Sequence, residues 1–278
     1  MSAFLRRIAA PVARRIRKSE AGIRTEYFPT VPSPQNALDI FDGEWYTSLP
    51  GELHGLRAGR IDLYEDPRLK WGLAEAGGLH GKRVLELGPL EGAHTYMLEH
   101  AGAASIRAVE GNPRAYLKCL VLKEVLALQN AQFLCGDFVE YLRAGPERAD
   151  FVVASGVLYH MTNPAELIAL ISRITDCVFL WTHYYDAAAV ARTPEIQRKL
   201  ANAREAEHEG FRHKLHRYEY FSSFGLKRFC GGPNPYANWM ERESILDCLR
   251  FFGFESIVTN FDEPNHVDGP AFAVVARK

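Results

Sequence analysis

Between residues 81 and 185 short apolar runs alternate with helix-patterned segments, and this rhythm constrains the fold more than any other feature of the chain. RVLELG (83–88), SIRAVEG (105–111), AQFLCGDF (131–138), ADFVVASG (149–156) and CVFLWTHYY (177–185) read as strands. Helical patterns fill the gaps near 92–101, over 113–129, in a short stretch beyond 138 and over PAELIALISRI at 164–174. Strands that alternate with helices at this pace imply a parallel sheet covered on both faces. The rhythm breaks at 186–238, where a charged helix is expected over 194–209, followed by aromatic and basic residues and the loop CGGPNPYAN. It resumes with a helix at 240–252 and two strands, ESIVTNF (255–261) and AFAVVAR (271–277), joined by DEPNHVDGP. A turn-rich connection without a helix makes these two strands an antiparallel hairpin.

The segments before the sheet are different in kind. Residues 1–24 carry Arg6, Arg7, Arg14, Arg15, Arg17, Lys18 and Arg24 against Glu20, although the whole chain has a net charge of −1. The near-neutral total therefore points to neither nucleic acid nor membrane, and only the arm does. Phe4, Ile8, Val12 and Ile16 would give it one apolar stripe, but Pro11 interrupts the helix. It reads either as an arm touching RNA or a membrane surface, or as a partly ordered basic tail. With the proline-spaced FPTVPSPQ (28–35) it forms an arm and linker over 1–35, ahead of one domain at 36–278 with an insertion at 186–238. Helical patterning is expected near 36–47 and 66–78. The five cysteines form no CxxC pair, and Cys135 and Cys177 lie in strand-like runs. That usage suits a reducing, cytoplasmic setting. No apolar run approaches the roughly 18 residues of a membrane span.

In an open α/β sheet, ligands bind outside the carboxyl ends of the strands. The first strand ends in Glu86 and opens into a loop with Gly88 and Gly92; glycine lets backbone turn tightly and approach a ligand. The second ends in Glu110, a carboxylate suited to ribose hydroxyls. The third ends in Asp137–Phe138, an acceptor for an exocyclic amine beside an aromatic face for a purine. Three carboxylates so placed suit a cationic nucleoside without phosphate. Glu86 can face an amino group of the ligand or orient the loop through hydrogen bonds.

VLELGPLEG, AVEGN, CGDF and the terminal hairpin resemble class I S-adenosylmethionine (SAM)-dependent methyltransferases, over roughly 80–278 without the insertion. The resemblance implies a Rossmann-like seven-stranded sheet of order 3-2-1-4-5-7-6 and SAM as cofactor. It places the methionyl part on Glu86, Gly88 and Gly92, the ribose on Glu110, and the adenine on Asp137 and Phe138, with Ser155 at the fourth strand end completing the cofactor set. Many members have a further glycine where this chain has Leu90. SGVLYHMTNP (155–164) and DPRLKW (66–71) are similar to segments of the bacterial enzyme that carboxymethylates tRNA wobble uridine. The likeness fades across 186–238.

Methyl transfer from a sulfonium is an in-line displacement, so the protein mainly aligns two reactants, and a base helps only when the acceptor must lose a proton. His160, after the fourth strand, and His183, at the end of the fifth, are the candidate catalytic residues; each could instead simply cap a strand end. Tyr159, Tyr184 and Tyr185 can wall the pocket, and Trp45 and Tyr46 either fold over the cofactor or pack a helix. His208, His213 and His216 match no zinc spacing and read as a solvated helix face, so no metal is expected. PNPY (233–236) reads as a loop. Arg212, Lys214, Arg217, Lys227 and Arg228 hint at an anionic acceptor. A small molecule, sugar or lipid-linked glycan methylated on O or N is the first expectation, and a tRNA-modifying (carboxy)methyltransferase is the alternative. A SAM-binding protein without turnover also fits. A nicotinamide-dependent dehydrogenase does not: it wants GxGxxG, and Glu91 stands where its pyrophosphate would sit.

Overall fold

The computed structural model describes residues 23–53, 55–225 and 229–278, so the apolar stripe and nearly all the basic residues of the N-terminal arm, with Lys227 and Arg228, lie outside the described residues. Several helices start the same way, with a short polar residue followed by proline. The side chain accepts a hydrogen bond from a first-turn amide, and proline fills the position whose N–H needs no partner. Ser33 caps α1 (Pro34–Leu38) in this way and Asp66 caps α2 (Pro67–Glu75). The alternating half of the chain then runs β1 (Arg83–Leu87), α3 (Ala93–His100), β2 (Ser105–Glu110), α4 (Pro113–Val125), β3 (Ala131–Cys135), α5 (Phe138–Arg143) and β4 (Phe151–Ser155). It is followed by α6 (Pro164–Ile174), β5 (Cys177–His183), α7 (Ala187–Arg192) and α8 (Pro194–Gln197). β6 (Leu200–His208), β7 (Phe211–Glu219) and β8 (Tyr236–Trp239) come next, then α9 (Arg242–Phe251), β9 (Ser256–Glu263) and β10 (Ala271–Arg277).

The main sheet has the order β3-β2-β1-β4-β5-β10-β9, which is the expected arrangement once the insertion's strands are counted. β1 to β5 are parallel, and β10 runs antiparallel between β5 and β9. Alternate residues supply its two cores. Val84, Ile106, Phe151, Val153, Phe179 and Val275 face α2 and α3, while Leu85, Val152, Ala154, Leu180 and Val274 face α6 and α9. Burial on both sides explains why β4, β5 and β10 read as nearly unbroken apolar runs. α2 crosses β5 very closely: a Cβ on Gly72 would lie 2.5 Å from the Phe179 ring.

Several local expectations are corrected. The stretch 36–47 is not a helix: α1 ends at Leu38, and only a short 3-10 turn, Asp39–Phe41, follows. The stretch 194–209 is not a charged helix either. α8 is brief, and Leu200–His208 is a strand that turns at Glu209 and Gly210, both at positive φ, and pairs antiparallel with β7. Helix formers such as Ala and Glu are overruled there because β7 offers a complete ladder and an apolar face of Phe211, His213 and Leu215. His213 and His216 are consequently buried rather than solvated, His216 stacking on Tyr185 at 3.4 Å between ring centres. Cys135 is exposed at the end of β3 rather than packed as a small hydrophobe. The β6-β7-β8 sheet is tied to the segment after β4 by the Asn238 amide, which donates to the Met161 carbonyl (2.8 Å). Arg212 and Lys214 are exposed on this sheet, Arg217 lies over the Tyr236 ring, and Arg212 and Arg217 pair with Glu207 and Glu219.

Candidate active site

The carboxyl ends of β1, β2, β3, β4 and β5 meet in one cleft. The loop after β1 is held in a left-handed path, with Gly88, Leu90 and Gly92 at φ +66°, +56° and +82°. A Cβ on Gly88 would come within 2.7 Å of Val157, so the loop lies flat against the segment after β4 only because that position is glycine. Leu90 holds this left-handed path without being glycine, in a conformation that costs such a residue on the order of 1–2 kcal/mol. Glu110 compensates, since its Oε2 accepts from the Leu90 amide (3.0 Å) and its Oε1 from the Asn112 amide (2.8 Å). Each of those oxygens retains a second lone pair. Burial pushes the Glu110 carboxyl up, against these amides. Glu86 is fully enclosed and accepts from the Thr95 hydroxyl of α3 at 2.5 Å. Burial pushes its carboxyl up to about 7, opposed by His94. The Glu86 hydrogen bond thus ties β1 to α3, while the loop amide of Leu90 is held by Glu110.

Asp137 lies beside Glu110, since Glu110 pairs with Cys135 in the β2–β3 ladder and the Gly136 amide donates to the Glu110 carbonyl. Asp137 is exposed, and its side chain caps α5 through the Val139 amide (2.7 Å). Phe138 is half-buried against the core. Ser155 closes β4 in register with Trp181 on β5.

His160 and His183 come together around one ring, Tyr159, at 4.1 and 4.6 Å between centres. His183 is buried with its Nδ1 2.8 Å from the Gly269 carbonyl, and its ring stacks on Trp239 at 5.6 Å. Carbonyls only accept, so Nδ1 carries the proton and Nε2 is the basic nitrogen. Burial lowers the imidazole to about 4, although these carbonyls favour the charged form. His160 Nδ1 is 2.6 Å from the Tyr220 hydroxyl, and burial together with His183 lowers it to about 3. Both rings are therefore neutral at pH 7.

Several residues of the cleft were not singled out from the sequence. The insertion contributes Tyr220, the end of β8 contributes Trp239, and the β9–β10 connection contributes His266, whose ring lies 5.1 Å from His183 and whose Nδ1 accepts from the Asp268 amide (3.1 Å). Asp66 is buried and bonds Arg68 (2.6 Å) and His94 (2.9 Å); burial alone would raise it, but these partners hold it well below the usual carboxylate range. Glu91 turns away from the ligand side altogether. It accepts from the Tyr46 and Thr47 amides (3.0 and 2.9 Å), the Thr47 hydroxyl (2.8 Å) and Lys118 Nζ (2.7 Å). The two aromatics held there divide the roles considered for them: Trp45 packs into the core, and Tyr46 stands out beside the cleft.

Residues 85–176 match the family model described as a methyltransferase domain. The match covers β1 to the end of α6, the part that carries the glycine loop and the acidic strand ends. These residues form a methyltransferase domain, and solved structures of the same fold with SAH bound support the class I, SAM-dependent kind. SAM is the cofactor of this fold, and the positive-φ glycine cradle with carboxylates on β1, β2 and beyond β3 fits it. Solved structures agree on the fold. The N-terminal domain of EvdMO1, crystallised in the presence of S-adenosylhomocysteine (SAH) and D-fucose, is 23% identical with a TM-score of 0.65, the match covering 88% of this chain and 94% of that one. Magnesium protoporphyrin IX methyltransferase from Synechocystis PCC 6803, with bound SAH, is 15% identical over 80% and 90% of the two chains, with a TM-score of 0.53. The 1,6-didemethyltoxoflavin-N1-methyltransferase of Burkholderia thailandensis, bound to its substrate and SAH, is 14% identical over 77% and 78%, at 0.51. No curated protein matches the chain. Among the described residues no helix of the methyltransferase is long and apolar enough to cross a membrane, and no group of three or more His, Cys, Asp or Glu side chains could hold a metal.

Proposed function

We propose that the protein transfers a methyl group from SAM to a hydroxyl of a small, sugar-like acceptor, with His183 as general base and His160 as the donor that positions the acceptor oxygen. One observation carries the proposal: the Gly269 carbonyl takes the Nδ1 proton of His183, which leaves Nε2 unprotonated among the rings of Tyr159, Trp181 and Trp239. Aromatic walls with a few polar groups suit the C–H faces and hydroxyls of a sugar. The fold neighbour crystallised with D-fucose supports the same class.

SAM supplies a methyl group already activated on a positive sulfur. Glu86, Gly88 and Gly92 would hold its methionyl end, Glu110 its ribose, and Asp137 and Phe138 its adenine, with Ser155 beside them. His160 Nδ1 lies 2.6 Å from the Tyr220 hydroxyl; with that hydroxyl donating, His160 would present Nε2–H to the acceptor oxygen. His183 Nε2 would take the acceptor's hydroxyl proton as its oxygen receives the methyl group, with SAH as the leaving product. An imidazole titrating near 4 takes this proton only as the new bond forms and the hydroxyl becomes acidic. It is also ready as a base throughout the neutral range.

The test is incubation with labelled SAM and a panel of free sugars, nucleotide-linked sugars and glycolipids, with product identified by mass spectrometry. His183→Asn should lower turnover by about 10²- to 10⁴-fold, the usual contribution of a general base, while SAH still binds. Label appearing in tRNA and lost steeply with salt would replace this acceptor class with RNA. Binding of SAM with no labelled product would favour a protein that does not turn over.

A further inference from the structure

We propose that Arg68 binds the α-carboxylate of the cofactor's methionyl group, an inference that rests on SAM being the ligand of the cleft. The methionyl end is zwitterionic, and a site for it has to match a carboxylate as well as an ammonium. Glu86 offers a carboxyl next to the glycine loop, but the cations of β1 and β2, Arg83 and Arg107, are paired with Asp150 and Glu147. Lys118, the other buried cation near the loop, is committed to Glu91 and the Glu44 carbonyl. Arg114, beyond β2, is paired with Glu44, and among the described residues Arg68 is the cation beside β5 that faces the strand ends.

Its position is fixed from two sides. Asp66, buried at the start of α2, accepts from Nε (2.9 Å) and Nη2 (2.6 Å) of Arg68. The guanidinium plane lies 4.2 Å from the centre of the Trp181 ring, on the strand beside Ser155. The same Asp66 Oδ2 also bonds Nε2 of His94, two residues past Gly92 and close enough to Glu86 to act on its titration. One carboxylate therefore links Arg68 to the residue that opens α3. No hydrogen bond among the described residues uses Nη1 of Arg68, so this edge of the fork is left for a ligand. α2 can hold the guanidinium here because Gly72 lets the helix press onto Phe179 of β5. Asp66 acts as a positioning residue, since it touches Arg68 and not the ligand.

Calorimetry on the whole chain tests this with ligands that differ only at the amino-acid end. Arg68→Met should weaken SAH about 10- to 100-fold, the range of a hydrogen bond to a charged group. 5′-Methylthioadenosine, which lacks the amino acid, should bind parent and variant within about twofold of each other. Arg68→Lys should restore part of the SAH affinity, because a point charge replaces one arm of a fork. In the unaltered protein, SAH lacking its carboxylate should bind weaker than SAH by the same 10- to 100-fold, a comparison independent of folding of any variant. Equal loss of both ligands in Arg68→Met, unchanged SAH affinity, or no preference of the parent for the carboxylate would each overturn the assignment. A parent protein that binds neither SAH nor methylthioadenosine would instead remove the cofactor reading on which it rests.

Discussion

Replacing Lys118 by methionine isolates the contact that fastens the N-terminal segment to the glycine loop. Glu91 is 1% exposed and Lys118 is 8% exposed, and their 2.7 Å ion pair is enclosed by the Tyr46–Thr47 backbone. Methionine has nearly the volume of lysine without its charge, so packing against Trp45 is largely kept. What remains is a buried carboxylate whose remaining donors, the two amides and one hydroxyl, are neutral. Removing one partner of a buried pair costs about 3–5 kcal/mol, because the other charge stays uncompensated. For a chain of this size that corresponds to a fall in Tm of about 10 °C. The companion variant Glu91→Gln and the double variant complete a cycle. If the cost comes from the stranded charge, the double variant should be more stable than Lys118→Met alone by about 1–3 kcal/mol. The assay is urea unfolding followed by tryptophan fluorescence, with thermal melts as a check. A Lys118→Met penalty under about 1 kcal/mol, or a double variant equal to the sum of the singles, would refute the claim that Glu91 is a charged anchor.

Two further outcomes follow from the strand-end acids. Glu86 is raised by burial from an ordinary value of 4.5 to about 7, so the fold keeps a proton that the unfolded chain releases, and stability falls as pH climbs from about 4.5 to 7 and levels above that. Glu86→Gln should lose this slope and gain up to about 3 kcal/mol over the parent at pH 8 relative to pH 5, and parallel stability curves for the two proteins would contradict it. Glu110→Ala and Asp137→Ala should each weaken SAH by about tenfold or more in calorimetry, and Asp137→Ala should also lose about 1 kcal/mol through the α5 cap; parental affinity in both would dismiss the strand-end assignment.

The sheet was legible because its strands are buried on both faces and separated by capped helices, so period and punctuation agreed at every step from Arg83 to His183. The acids at the ends of β1 and β2 were legible for a related reason: a carboxylate closing an apolar strand is costly unless a ligand or loop uses it. Leu90 shows the limit of motif matching. The turn survives at φ +56° without its glycine, because Glu110 bonds the Leu90 amide from the neighbouring strand. The segment 200–208 was misread since ANAREAEH has helical propensity, while the deciding features, the Glu209–Gly210 turn and the alternation in FRHKLHRYE, lie beyond it. The Glu91 anchor and the Asp66–His94 pair join positions 44 and 28 residues apart and have no local pattern at all.

The two halves of the cleft are built by different means, and this has a consequence for how the enzyme can vary. The cofactor half comes from strand ends inside a rigid parallel sheet, where a shifted residue disturbs the core beneath it. The acceptor half, on the proposed reading, comes from pieces outside that frame: Tyr46 on the N-terminal segment, Tyr220 on the insertion, Trp239 at the end of β8, and His266 on the β9–β10 connection. Trp239 and His266 meet the rings of Tyr159 and His183, and Tyr220 meets His160 beside them. Loops positioned by a rigid scaffold tolerate sequence change far better than the scaffold does. Substitutions at Tyr46, Tyr220 or His266 should therefore act on the acceptor's KM and leave SAH affinity nearly unchanged, whereas those at Glu110 or Gly88 act on SAH first. His160 is the point of contact between the two halves, since it stands on the strand side yet its Nδ1 shares a hydrogen bond with Tyr220 of the insertion.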